Sequence, residues 1–280
     1  MSLNANTYYS NSITGQPLVG VDVNIETADA SPRYASGYSV VRADGNKFRY
    51  CHIGTATNSG LLVGPTTSSA GATYAAGTVV ASASATAVPQ EYPILPGQVG
   101  SHYVQFTIAS IAANKYQGGY LITTGGTGLG QTYRIVGNTA TGNPNSTDLY
   151  IQLAEALQVA VTPATGTIIV GSMFTDLAAA ATSATQVTGV LMATTTSTNL
   201  WAWVCTHGVV GCTEDATSST PVAGVPVIAS MNLAGAYQAV STATATALLT
   251  GVFSQPIVGY CRTVAGGTKN RQGAIYLILE

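Results

Sequence analysis

The sequence predicts an all-β protein: short antiparallel strands forming one or two β-sandwich or barrel domains, with an extended N-terminal arm. Three observations carry that expectation. Short runs of β-branched and aromatic residues recur roughly every ten positions, with Gly, Asn, Asp and Pro turn signals between them. No stretch sustains a helical apolar period over about ten residues. A glycine-rich crossing, Gly125-Gly126-Thr127-Gly128-Leu129-Gly130, separates two strand-like runs, Gly119–Thr124 and Gln131–Val136.

In chain order, residues 1–36 read as the arm: polar, rich in Asn, Ser, Thr and Tyr, and interrupted by Pro17 and Pro32. Within it only Leu18–Ile25 alternates as a half-buried or edge strand does. Tyr8 and Tyr9 supply amphipathic side chains of the kind enriched at interfaces. Two readings stay open, a frayed terminus or an arm that orders on a neighbouring subunit. A first β domain is expected over 37–165. It begins with Tyr38–Ala43 and Lys47–Gly54, joined by Asp44-Gly45-Asn46, a hairpin signal. On the second of these strands Phe48, Tyr50 and His52 share one face, and Lys47, Arg49 and Cys51 the other. His52 reads as a hydrogen-bonded strand residue, because no carboxylate lies close in sequence to orient it as a base.

Gly60–Ala87 is a Gly/Ala/Ser/Thr tract with strand-like islands at Leu61–Val63 and Thr78–Ala81. Val88–Gly100 holds three prolines and reads as a bent connector. His102–Ile111 alternates cleanly. After the glycine crossing, Gly137–Asp148 is a polar loop. Leu149–Val161 reads as strand, one turn of helix at Leu153–Leu157, and strand. Thr162–Gly166 marks the expected boundary to a second β domain over 166–280. Strand signals there are Thr167–Phe174, Val187–Ala193, Leu200–Cys212 with Trp201 and Trp203 on one face, Ala223–Ser230, Gly235–Val240, Gln255–Cys261 and Ala274–Leu279.

The glycine crossing also invites comparison with a phosphate-binding loop. Such loops lie between a strand and a helix whose N-terminus faces the phosphate. Here QTYRIV continues as strand, so the expectation is a hairpin in which glycine supplies positive φ.

The pieces Lys115–Leu121, Gly125–Ile135 and Leu157–Val161, with Leu200–Gly208 and Lys47–Gly54, resemble virion structural proteins of tailed bacteriophages. The likeness is closest to the capsid decoration, or cement, proteins of phages of aquatic bacteria. Cys205 stands where that family more often carries Gln. The resemblance implies a protein on the exterior of the virion's capsid, bound to the major capsid protein and to itself as a homotrimer. It makes Tyr8, Tyr9, Arg33, Tyr34, Arg42, Lys47 and Arg49 the candidate partner interface. The other reading is a fibre or adhesin subunit that binds host glycan, with Tyr237, Tyr260 and Tyr276 lining a shallow site.

Composition bears on these readings. Only 7% of the 280 residues are charged, against about 25% in ordinary soluble domains. Surfaces usually rely on interspersed charge for solubility and for guarding sheet edges, so a charge-poor surface is expected to be covered by partners. The net charge of −2 and a densest basic cluster of only Arg42, Lys47 and Arg49, interrupted by Asp44, argue against a nucleic-acid partner. No apolar run reaches the ~18 residues of a membrane span. The first residues carry neither a basic nor an apolar signal region, so the expected place of synthesis is a host cytoplasm.

Cys51, Cys205, Cys212 and Cys261 read as reduced, buried thiols. They lack the tight spacing of a zinc knuckle, and neither metal nor cofactor is expected. A Cys205–Cys212 disulfide is a further possibility. Glu214-Asp215 is the one adjacent acid pair; it lies in a TEDATSST segment and reads as solvated loop acids. No nucleophile elbow or metalloprotease helix is present, and catalysis is not expected.

Overall fold

A computed structural model describes residues 23–65, 94–108, 111–141, 148–182, 186–215, 222–240, 257–263 and 272–280, and the backbone of 8–11, 17–21 and 72–74. Strands and no helix occur among these residues, as the recurring short runs predict. In chain order they are β1 (Tyr8–Asn11), β2 (Pro17–Val21), β3 (Ser39–Arg42), β4 (Lys47–Ile53), β5 (Leu62–Pro65), β6 (Ala72–Tyr74), β7 (Tyr103–Thr107), β8 (Tyr120–Gly125) and β9 (Thr132–Asn138). They continue with β10 (Asp148–Leu153), β11 (Gly166–Val170), β12 (Leu177–Ala179), β13 (Gly189–Leu191), β14 (Leu200–Thr213), β15 (Pro226–Ala229), β16 (Tyr237–Ala239), β17 (Ile257–Cys261) and β18 (Gln272–Ile278). The island expected at Thr78–Ala81 lies outside the described residues.

The chain divides into two compact units, residues 1–66 with 176–280, and residues 67–175. The boundary expected at 165/166 falls inside the second unit, where β11 pairs with β8 from Gly166↔Gly125 to Val170↔Tyr120. Thr162–Gly166 is a turn, closed by Thr165 N–H donating to Thr162 O at 2.8 Å. Turn chemistry by itself does not separate domains. The second unit is an insertion: the chain leaves the first at Pro65 and returns at Leu177, and these two are direct Cα partners in the antiparallel β5–β12 pair.

The first unit is built on β14. Its leading half pairs with β4 on one side, Leu200↔Ile53 through Cys205↔Phe48, and with β13 on the other. Its trailing half pairs with β18, His207↔Ile278 through Thr213↔Gln272. The β14–β4 pairing closes β4, β14, β13, β5 and β12 into a ring. A bridge from Glu214 to Tyr237 closes a second circuit through β18, β17, β15 and β16. A bulge between Cys205 and His207 marks the change of partner. There Gly208 has φ of 101°, and a side chain at that position would strike Asn46. Asn46 fastens the spot: its Nδ2 donates to Val209 O at 3.1 Å and its Oδ1 accepts from Val209 N–H at 2.9 Å.

Trp203, Tyr50, Phe48 and Tyr237 are fully buried in this unit's core. Each large aromatic removes 150–250 Å² from water, roughly 4–6 kcal/mol of apolar transfer at the usual coefficient. Tyr50 stacks on Trp201 at 5.6 Å and tilts against Trp203 at 5.1 Å. The segment expected as an arm contributes β1 and β2, which extend the sheet beyond β3.

The second unit is one six-stranded sheet in the order β6-β11-β8-β9-β10-β7. The expected glycine hairpin is there as β8 and β9, paired Tyr120↔Arg134, Leu121↔Tyr133 and Ile122↔Thr132. Gly126, Gly128 and Gly130 all hold φ between 74° and 85°, a region that glycine reaches without steric cost. Thr123 ties the loop: its hydroxyl donates to Gly128 O and accepts from Gln131 N–H, while its carbonyl takes the Gly130 N–H. Leu121, Tyr133, Ile135, Phe106, Leu149 and Ile151 form the core beneath.

The turn of helix expected at Leu153–Leu157 is not formed; the chain bends there after β10, and the following run gives no strand at Val159–Val161. Ala154 N–H donates to Arg134 O at 2.9 Å and Leu157 N–H to Ser101 O at 2.9 Å. Those backbone donors are taken by distant carbonyls, which a local helix would have to forgo.

Candidate functional site

The residues expected at a partner edge lie in one part of the first unit, around β1, β3 and β4. Tyr8 stands opposite Arg42 and Tyr9 opposite Val41 in the β1–β3 ladder. Val41 in turn pairs with Lys47, and Ser39 with Arg49. Tyr34 packs into the aromatic cluster, stacked on Tyr38 at 5.1 Å and edge-on to Tyr50 at 5.3 Å. The three guanidinium groups meet carboxylates of their own chain. Arg33 Nε lies 2.8 Å from Asp29, Arg42 Nε 3.6 Å from Asp44, and Arg49 Nε 2.7 Å from Glu280. The strands that carry these residues are not at a sheet edge as expected: β3 is paired by β1 and β4, and β4 by β3 and β14. The patch is close to neutral, with Lys47 the cation in it that has no ion pair among the described residues.

Asp29 also accepts the Tyr50 hydroxyl at 2.8 Å, and burial pushes the ionisation of that phenol upward. Beside it His52 accepts from Asp176 N–H at 3.3 Å and meets Trp201 edge-on at 5.1 Å. Burial lowers its pKa below the ordinary value, against a smaller opposing effect of the Asp176 charge. His52 is the hydrogen-bonded strand residue that the sequence implied.

A polar chain runs from this patch to a surface cavity. Glu280 binds Arg49 through one carboxylate oxygen and accepts from the Thr206 hydroxyl through the other at 3.2 Å. Its backbone oxygen lies 2.8 Å from His207 Nδ1. That oxygen can only accept, so Nδ1 donates to it, and Nε2 on the far side of the ring shares a hydrogen bond with the Tyr276 hydroxyl at 3.0 Å. Tyr276 is thereby fixed at the wall of a cavity of about 350 Å³, lined by Ala223, Gly224, Tyr260, Cys261, Arg262 and Tyr276. Tyr260 and Tyr276 are direct partners across β17 and β18.

Compared with known proteins, the chain matches no family model, no curated protein and no solved structure.

The structure separates the three tyrosines that the sequence grouped as exposed. Tyr260 and Tyr276 meet at the cavity, whereas Tyr237 is 0% exposed and closes the second circuit instead. Glu214 and Asp215 are not solvated loop acids: they are 0% and 2% exposed. Asp215 accepts from Ser230 Oγ at 2.5 Å and Asn232 Nδ2 at 3.3 Å, while Ser230 Oγ accepts from the Asn232 and Leu233 N–H groups. It organises the turn after β15. Glu214 accepts the Tyr237 hydroxyl at 3.4 Å beneath Gly273, where any side chain would collide with that hydroxyl.

All four cysteines are free and buried. Cys205 lies on the inward side of β14, and burial pushes its thiol up to about 12; burial raises those of Cys51, Cys212 and Cys261 as well. A thiol that stays protonated is a poor nucleophile and a poor ligand. Among the described residues no three His, Cys, Asp or Glu side chains gather as a metal site. Arg262 escaped the sequence reading, position i+2 from Tyr260 being the one available signal. His207 drew notice in sequence only as a soft ligand beside Cys205 and Cys212, whereas the structure sets it between Glu280 and Tyr276.

Proposed function

We propose that this chain is a virion structural protein, a decoration protein that binds the outside of an assembled phage head. It contacts the major capsid protein, associates with itself as a homotrimer, and reinforces the joints between capsomers. The resemblance of its glycine-punctuated strands supports this reading. The observation that carries it is the outward face of β8 and β9. Tyr120, Ile122 and Thr124 on one strand, and Thr132, Arg134 and Val136 on the other, alternate with the buried positions. The loop between them holds Leu129 out with 69% of its surface exposed. This face has one charge, Arg134. Contact patches that are depleted in charge and enriched in aromatics and arginine are the ones that partners cover.

The mechanism is physical rather than chemical. A protein that binds the assembled shell and not its free subunits stabilises that shell by mass action. Cryo-EM of the particle tests the reading. Density repeated over the shell at local symmetry axes is expected, and a Tyr120→Asp, Val136→Asp double variant is expected to leave the shell bare while remaining folded. Absence from the particle, or confinement to the tail or one vertex, overturns it.

A further inference from the structure

We propose that the cavity between β17, β18 and the turn at Ala223–Gly224 is a binding site for an acidic saccharide. The site belongs to the first unit and the sheet face invoked for the shell to the second, so it stands without that reading.

Four observations build it. Tyr260 and Tyr276 are direct cross-strand partners, which puts their Cβ atoms about 5 Å apart on one face and both side chains in the cavity wall as an aromatic platform. Tyr260 is 42% exposed, and Tyr276 is held by His207, so the Tyr276 side of the platform is pre-set rather than formed on binding. Apolar ring faces of this kind match the C–H faces of pyranose rings, while the phenol groups at their edges remain able to hydrogen-bond. Arg262 follows Tyr260 by two residues, so its side chain projects to the same side. It is exposed and has no ion pair among the described residues. A guanidinium left without a carboxylate beside an aromatic platform is a bidentate receptor for one. Finally, a volume of about 350 Å³ is at the small end of ligand sites and suits one or two sugar rings.

Among the described residues the cavity presents one arginine, too little for a nucleic acid, whose affinity grows with the number of phosphates neutralised. A uronic acid presents one carboxylate per ring and fits that cation.

The test is calorimetry of the full chain with a galacturonate trisaccharide and with its neutral galactose counterpart. Preferential binding of the acidic sugar is expected. Tyr260→Ala should weaken it about tenfold, as loss of one ring contact does, and Tyr260→Phe should restore it. Arg262→Gln should bring the acidic sugar down to the affinity of the neutral one. No binding, equal binding of the two sugars, or affinity unchanged by both variants overturns the proposal. Self-association that Tyr260→Ala abolishes, with no sugar bound, overturns it too and assigns the face to a second copy.

Discussion

His52 shows how burial becomes a pH response. Its neighbours, Trp201 in edge contact and the Asp176 N–H donating to Nδ1, favour the neutral ring, and its pKa is lowered from 6.5 in the folded chain. An unfolded chain therefore takes up the proton first. The contribution of His52 is fully present above the unfolded value, and is lost as pH falls from about 6.5 toward the lower folded value. The thermal midpoint is expected to fall over that interval, and to fall less in His52→Gln; equal slopes for the two proteins would refute the assignment. Burial at single residues was only partly legible. The cysteines read as buried because they lie within apolar strands. Glu214 and Asp215 read as exposed because their sequence neighbours are polar. What buries them is Tyr237, brought in from more than twenty positions away by the bridge to Glu214 and invisible to any local window.

At the scale of elements, β14 is the decisive strand. Alternating apolar runs identify it in the sequence, and so do the hairpins β3–β4 and β8–β9, because turn residues and period-two patterns are local signals. The helix expected at Leu153–Leu157 failed for the complementary reason: its backbone donors found acceptors far away in the chain. The cavity was half legible, through Tyr260 and Tyr276, since aromatic residues on strands are visible; that they face each other depends on the β17–β18 register. The bulge at Gly208 lets β14 change partners, and it permits a graded test. Gly130→Ala meets open space but keeps a positive φ, for about 1–2 kcal/mol of strain. Gly208→Ala adds collision with Asn46 and should cost roughly 2–4 kcal/mol. Denaturant midpoints of the two variants should differ in that order, and the reverse order would refute the role given to the bulge.

For the whole molecule, the division into two units was the feature least legible in sequence. Composition changes at Gly60–Ala87 and again at Thr162–Gly166, but neither change says which strands pair across it. The pairing of Pro65 with Leu177 does. In topological terms residues 67–175 occupy the place of a hairpin loop. Replacing them with a short Asn-Gly turn is expected to leave a first unit that still unfolds in one transition, and the excised 67–175 segment should fold by itself. A first unit that fails to fold without the insertion would overturn this.

The same geometry orders events in time. Closing a loop of that length from an unfolded chain costs about 4 kcal/mol on the usual logarithmic scaling. Until the inserted segment compacts, β5 and β12 must find each other across a long floppy tether. Once it has compacted, its two ends are held within reach and the tether is effectively short. Synthesis from the N-terminus releases residues 67–175 before 176–280, so the inserted unit can act as an intramolecular assembly factor for the unit whose sequence flanks it.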